Sequence, residues 1–332
     1  MTAWRWLALP LSALCVASAH ADQPAFVFGA YKHLPMWKDG SHVITAVHDG
    51  VAMPYIVDGK RRFGPGALSW AFATGECGGE KWGEEEGADI AAANVARFDR
   101  AGVDYIISTG GAAGIFSCAT DAGMERFIAR YRSPHLVGID FDIEGKQTPA
   151  QIESLVRRAR HAQRKWPHLR FSFTVATHAA SDGSRRSLNA TGERILKAVR
   201  RMGLRDAVFN LMVMDYGPGE ARSCVVKDGV CDMGASAIQA ARNVHGKYKI
   251  PYAQIELTAM IGVNDVVSNV FTLDDARMVA DAVKAMKLAG LHYWSLDRDT
   301  PCSEPATGAS PVCSTLDVKS GEYGRALERA MP

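Results

Sequence analysis

Beyond its first two dozen positions the chain has no apolar run near the ~20 residues that a membrane-spanning helix needs, so no membrane association is expected once that segment is gone. It has no CxxC pair and no cluster of histidine and cysteine, so neither a metal site nor a cofactor is predicted. Lys and Arg number 38 against 36 Asp and Glu, and the longest basic stretch is RRAR at 157–160 on a helical pattern. That balance gives no basic face for a nucleic acid. There is no low-complexity linker either, so residues 22–332 are expected to form a single domain and a monomer.

What the chain does have begins with MTAWRWLALPLSALCVASAHADQ, a short apolar run closed by Ala19, His20 and Ala21 ahead of Asp22. This predicts a secretory signal over 1–21 and a secreted or periplasmic protein. Cys15 lies within the signal, leaving an even set: Cys77, Cys118, Cys224, Cys231, Cys302 and Cys313. Three disulfides suit an oxidising compartment. Connectivity stays open, although Cys224 with Cys231 and Cys302 with Cys313 are the local closures, which would leave Cys77 with Cys118.

Eight β-rich segments alternate with helical patterns: 26–32, 67–74, 103–111, 136–145, 170–177, 207–217, 253–262 and 290–297. Helices are predicted over 87–102, 121–132, 149–166, 185–203, 233–248, 273–290 and 323–331, while the connection 38–66 lacks a helical pattern. Eight such alternations at domain length point to an α/β fold, a (β/α)8 TIM barrel, whose active site forms at the strand ends that lead into helices.

The fourth strand, LVGIDFDIEG, places Asp140, Asp142 and Glu144 at every second position, so the three acids share one face while Ile139, Phe141 and Ile143 share the other. A solvated face usually mixes bases and hydroxyls with its acids. Three carboxylates without an interleaved base repel one another and raise at least one pKa, which general acid catalysis near neutral pH requires. At the other strand ends lie Tyr31, Gly110, Gly111, Asp215, Tyr216 and Trp294. Aromatic rings beside carboxylates suit a carbohydrate, whose C–H faces stack on rings while its hydroxyls bond to acids.

These residues carry a resemblance. GIDFDIE resembles the DGxDxDxE signature of glycoside hydrolase family 18, the chitinases and related endo-N-acetylglucosaminidases, and STGG at 108–111 is similar to that family's SxGG motif. LMVMDYG at 211–217 and HYWSLDRDTPC at 292–302 resemble the sixth- and eighth-strand segments of its bacterial chitinases. The resemblance implies that Glu144 is the general acid and that the substrate's own 2-acetamido group attacks the anomeric carbon. It implies that Asp142 orients the acetamide with Asp140 behind it sharing a proton, and that Asp215 and Tyr216 help hold the same group. Trp294 would floor the site, with Gly110 and Gly111 in its substrate-binding set and Tyr31, Met212 and Met214 as walls.

Two positions depart from the pattern: Val137 stands where the signature has its first Asp, and Met214 where many members carry a tyrosine. The connection 262–273 is too short for an α+β insertion domain, so an open cleft and internal cleavage of a chain are expected. The function implied is a chitinase cleaving β-1,4-linked N-acetylglucosamine polymers, a part in chitin degradation. The alternatives are a non-catalytic lectin-like barrel and an endo-β-N-acetylglucosaminidase acting on N-glycans or peptidoglycan.

Overall fold

The computed structural model describes residues 25–36, 40–48 and 50–332; the predicted signal lies outside the described residues. Eight parallel strands close into a barrel in chain order: β1 (Val27–His33), β2 (Ala67–Ala73), β3 (Tyr105–Gly110), β4 (Leu136–Asp142), β5 (Arg170–Ala176), β6 (Val208–Met212), β7 (Ile255–Met260) and β8 (Gly290–Trp294). Around it run α1 (Gly87–Ala101), α2 (Asp121–Arg130), α3 (Pro149–Lys165), α4 (Ala190–Met202), α5 (Met233–Tyr248), α6 (Leu273–Met286) and α7 (Glu322–Glu328). The expected (β/α)8 barrel is therefore present.

In the first connection two antiparallel hairpins replace a helix, Thr45–His48 with Val51–Pro54 and Ile56–Val57 with Lys60–Arg61. The segment leading into the first hairpin is tied to α1 by Asn94, whose Oδ1 accepts from Ile44 N at 2.8 Å and whose Nδ2 donates to His42 O at 2.8 Å. Between β7 and α6 there is only the hairpin Gly262–Val263 with Val270–Phe271, and no α+β insertion.

Local chemistry explains the helix limits. Thr148 and Gln151 form a capping box at the start of α3 with Pro149 in its first turn, and Thr272 with Asp275 does the same for α6. Helix α4 starts at Ala190 instead of the predicted 185, because the Asn189 side chain accepts from Gly192 N and caps the helix there. Residues ahead of it are used elsewhere: Leu188 bridges to Thr177 at the end of β5.

Outward-facing residues such as Ile139, Phe141, Phe171 and Phe173 are buried between barrel and helices, which is where most of the apolar core sits. Inside the barrel the packing is polar. At the end away from the helix-bound strand tips, Arg170 ion-pairs with Glu256, and His292 Nε2 lies 3.1 Å from Glu256 Oε1, all three buried. Burial, then the neighbouring Arg170, pushes the His292 pKa down to about 3, so the ring is neutral at physiological pH.

The disulfides are Cys77–Cys118, Cys224–Cys231 and Cys302–Cys313. Among the described residues the one grouping with metal-ligand types, Glu76 with Cys77 and Cys118, has both sulfurs in a disulfide and so offers no thiolate. Cys77–Cys118 joins the loops after β2 and β3 across 41 positions, against 7 for Cys224–Cys231. By loop-closure entropy the long link contributes about 4 kcal/mol and the short one about 2.5 kcal/mol. Replacing Cys77 and Cys118 together by Ser is expected to lower the denaturation midpoint more than replacing Cys224 and Cys231, as urea titrations of both variants would show.

Candidate active site

Parallel register sets the site. Gly110 lies opposite Asp142 and Ser108 opposite Asp140 on the β3 side, while Ser172 and Thr174 lie opposite the same two acids on the β5 side. Thr174 in turn faces Asn210, and Met212 faces Thr258. Inward positions from five strands thus meet around the upper half of β4.

Asp140 is 1% exposed and its carboxylate is ringed by hydroxyls. Ser108 Oγ (2.7 Å) and Tyr31 Oη (3.0 Å) donate to Oδ2, and Ser172 Oγ (2.7 Å) and Thr174 Oγ1 (2.9 Å) to Oδ1. Asn210 Nδ2 donates at 2.9 Å to both Tyr31 Oη and Thr174 Oγ1, and Thr258 Oγ1 closes the net on Asn210 Oδ1 at 2.8 Å. A carboxylate has about four acceptor sites, and these donors fill them. Among the described residues no hydrogen bond joins Asp140 to Asp142, although the Asp140 charge acts on Asp142. Asp140 is instead held from below by its ring of hydroxyl donors.

Asp142, one layer higher, is 4% exposed, yet its buried Oδ1 has no hydrogen-bond partner among the described residues. Burial, then the charges of Glu144 and Asp140, holds its pKa well above the usual carboxylate range. Strand β4 ends at Asp142, but Ile143 N still donates to Thr174 O at 3.0 Å, which keeps the chain extended for one more residue. Glu144 therefore emerges on the side of Asp142, exposed at the mouth. Its pKa is raised chiefly by partial burial; Lys146 opposes the shift, and Asp215 and Asp265 add to it.

Both acids border one cavity of about 390 Å³. Tyr31, Met212, Met214, Asp215, Tyr216 and Trp294 border it too. Trp294 stacks on Phe72, with centroids 5.7 Å apart and planes at 15°, and Tyr31 lies 6.3 Å from Trp294. Asp215 has a left-handed backbone, φ 50°, and accepts from Val266 N at 2.8 Å; burial raises its pKa, and that hydrogen bond offsets part of the rise. The Tyr216 hydroxyl is buried without a partner, and burial alone pushes its pKa far up. Leaving a buried polar atom unpaired costs about 1–3 kcal/mol, so Asp142 Oδ1 and Tyr216 Oη are two open positions for a polar ligand in that cavity.

Gly110 and Gly111 shape the site without lining it. Their φ angles are 88° and 77°, and a Cβ on Gly110 would lie 2.2 Å from Asp142 O. On Gly111 it would lie 2.7 Å from the Phe72 ring, while Gly111 N donates to Asp142 O at 3.2 Å. They allow the close packing of backbone against Asp142 and Phe72.

Sequence reasoning missed the hydroxyl cradle of Ser108, Ser172, Thr174, Asn210 and Thr258, although polar residues at inward positions of otherwise apolar strands were a signal for it. Phe72 was also missed, as were His178 and Asp265, which border the cavity.

No family model matches the chain. It is 29% identical over 220 residues to a probable bifunctional chitinase/lysozyme of Escherichia coli (strain K12), covering 60% of this chain and 24% of that protein. It is 28% identical over 223 residues to Endochitinase 11 of Metarhizium anisopliae, covering 61% and 41%. The chain thus matches less than half the length of either curated relative. The catalytic domain of a hyperthermophilic chitinase from Pyrococcus furiosus superposes with a TM-score of 0.69 at 24% identity, covering 93% of this chain and 95% of that one. With the DxDxE acids at the tip of β4 and the SxGG turn beside them on β3, the chain is similar in sequence to these chitinase-like proteins and shares the fold of a chitinase catalytic domain.

Proposed function

We propose that the protein is a secreted glycosidase that cleaves β-1,4 links in N-acetylglucosamine polymers with retention of configuration, the substrate's acetamide acting as nucleophile. The observation that carries this reading is the unpaired, buried Asp142 directly below an exposed Glu144 in one aromatic-walled cavity. Glu144, its proton held by partial burial and nearby acids, donates to the glycosidic oxygen as the bond breaks. Asp142 accepts the acetamide N–H, turns the amide oxygen toward the anomeric carbon and faces the positive charge of the cyclic intermediate. The Tyr216 hydroxyl is free to donate to the same amide, and Trp294 offers its face to the sugar ring. Water activated by Glu144, now a base, then opens the intermediate.

The relatives' names include both chitinase and lysozyme activities, and the feature common to those substrates is a β-1,4-linked N-acetylglucosamine unit, the group the cavity is read as holding. The predicted signal and three paired disulfides support an extracellular or periplasmic site of action.

The test is hydrolysis of N-acetylglucosamine oligomers by the mature protein, with the anomer of the first product followed by proton NMR. The β-anomer should form first, and fully deacetylated oligomers should resist cleavage because they lack the attacking amide. Initial α-anomer, or equal cleavage of the deacetylated oligomers, would remove the substrate-assisted mechanism. Intact oligomers that nonetheless bind would establish the lectin-like alternative.

A further inference from the structure

We propose that Asp265, on the hairpin between β7 and α6, is a positioning residue that acts through Glu144 and Asp215 to set the upper pH limit of the reaction. The inference rests on the catalytic reading of Glu144.

The hairpin loop is fastened to the site at both ends. The Asn264 side chain, fully buried, donates from Nδ2 to Met260 O at 2.8 Å and Gly262 O at 3.1 Å, and Asn264 N donates to Asn269 O at 3.0 Å. Asn269, also fully buried, reaches across to the loop after β6, where its Nδ2 donates to Gly217 O at 2.9 Å. Between these anchors Val266 N donates to Asp215 Oδ1 at 2.8 Å. Residue 265 is therefore held against Asp215 by its own backbone, and its exposed side chain borders the cavity shared by Glu144 and Asp215.

Three carboxylates from three elements, the end of β4, the end of β6 and this hairpin, thus meet at one mouth. Two cations offset them in part, Lys146 acting on Glu144 and Arg298 on Asp215 and Asp265. Arg298, buried beneath the hairpin, donates to Ile261 O at 2.8 Å, Val263 O at 2.6 Å and Ser310 O. Lys146 flanks Glu144 on its own exposed segment, and His178 at the end of β5 is kept neutral by burial, then by Arg186. Asp142 lies below. The Asp265 charge raises the pKa of both Glu144 and Asp215, so Glu144 keeps its proton to higher pH than it would without the hairpin.

The sign follows directly. The general acid must be protonated, so the alkaline limb of the rate profile tracks Glu144, and removing the Asp265 charge must move that limb to lower pH. Removing a negative charge that borders the same cavity displaces the limb toward lower pH. Asp265→Asn should show that displacement in kcat against pH with plateau kcat within about twofold of wild type. Asp265→Glu should restore the limb, and 0.5 M salt should shrink the difference. Val267→Ala, at the exposed tip of the same loop, should leave the profile in place. Superposed profiles for wild type and Asp265→Asn, or an equal shift in Val267→Ala, would overturn the proposal while leaving Glu144 as the acid. No cleavage by wild type at any pH would overturn the catalytic reading itself, and this inference with it.

Discussion

Glu144→Gln is expected to lower turnover of N-acetylglucosamine oligomers by about a thousandfold while changing KM by less than about threefold, because a positioned proton donor contributes about 10²–10⁴ in rate. The substitution keeps the shape of the side chain and removes only its proton. Glu144 makes no hydrogen bond or ion pair among the described residues and is exposed, so the variant should melt within about 1 °C of wild type, as an exposed side chain without specific contacts permits. Loss of rate therefore cannot be assigned to misfolding. The pattern of lowered kcat with preserved KM is that of an interaction made in the transition state and not in the ground state. Single-turnover kinetics and calorimetric binding of the same oligomer separate the two. Retention of more than a tenth of the wild-type rate would mean that the leaving oxygen is protonated by another group, for which Asp215 and Asp265 are the acids at hand.

The barrel and the acidic stripe were legible in the sequence because both depend on periodicity. Alternation by two in LVGIDFDIEG fixes which residues share a face, and eight alternating segments fix the architecture. Register was not legible. Ser172 or Asn210 alone, inside an apolar strand, says nothing about its partner until the neighbouring strand is slid into place opposite Asp140. For the same reason the cradle of hydroxyls that fills the acceptor positions of Asp140 could not be read from spacing.

Gly110 and Gly111 were recognisable as necessary but not as backbone packing, since the clash they avoid is with Asp142 O and Phe72 from other strands. The departure at Val137 proves remote. It shares the outward parity of Ile139 and Phe141 and lies five residues below Asp142, about 16 Å down the strand. The departure at Met214 does reach the cavity wall, and Tyr216 beside it supplies a hydroxyl in the same cavity. Asp265 could not have been found by pattern, because its role depends on a short hairpin folding back over β6.

Asp142→Asn should separate activity from stability most sharply. Asparagine keeps a carbonyl oxygen near the acetamide but loses the charge that faces the intermediate, so kcat should fall about 10²–10³-fold with a much smaller change in oligomer binding. Equal losses in both would reduce Asp142 to a ligand contact. Stability should move the other way. The folded protein holds the Asp142 proton more tightly than the unfolded chain does, because burial, Glu144 and Asp140 all oppose its ionisation. The stability associated with that proton is fully present below the unfolded value, about 4, and is lost as pH rises through the higher folded value. The Asn side chain has no such loss. Its melting temperature should match wild type near pH 4 and exceed it at pH 8. A gap of the same size at both pH values would point to altered packing, and a reversed gap would mean that the carboxylate is stabilised in the fold, contrary to its unpaired Oδ1. A residue whose removal strengthens the fold while abolishing turnover is one retained for chemistry, since the destabilisation it imposes has no structural use.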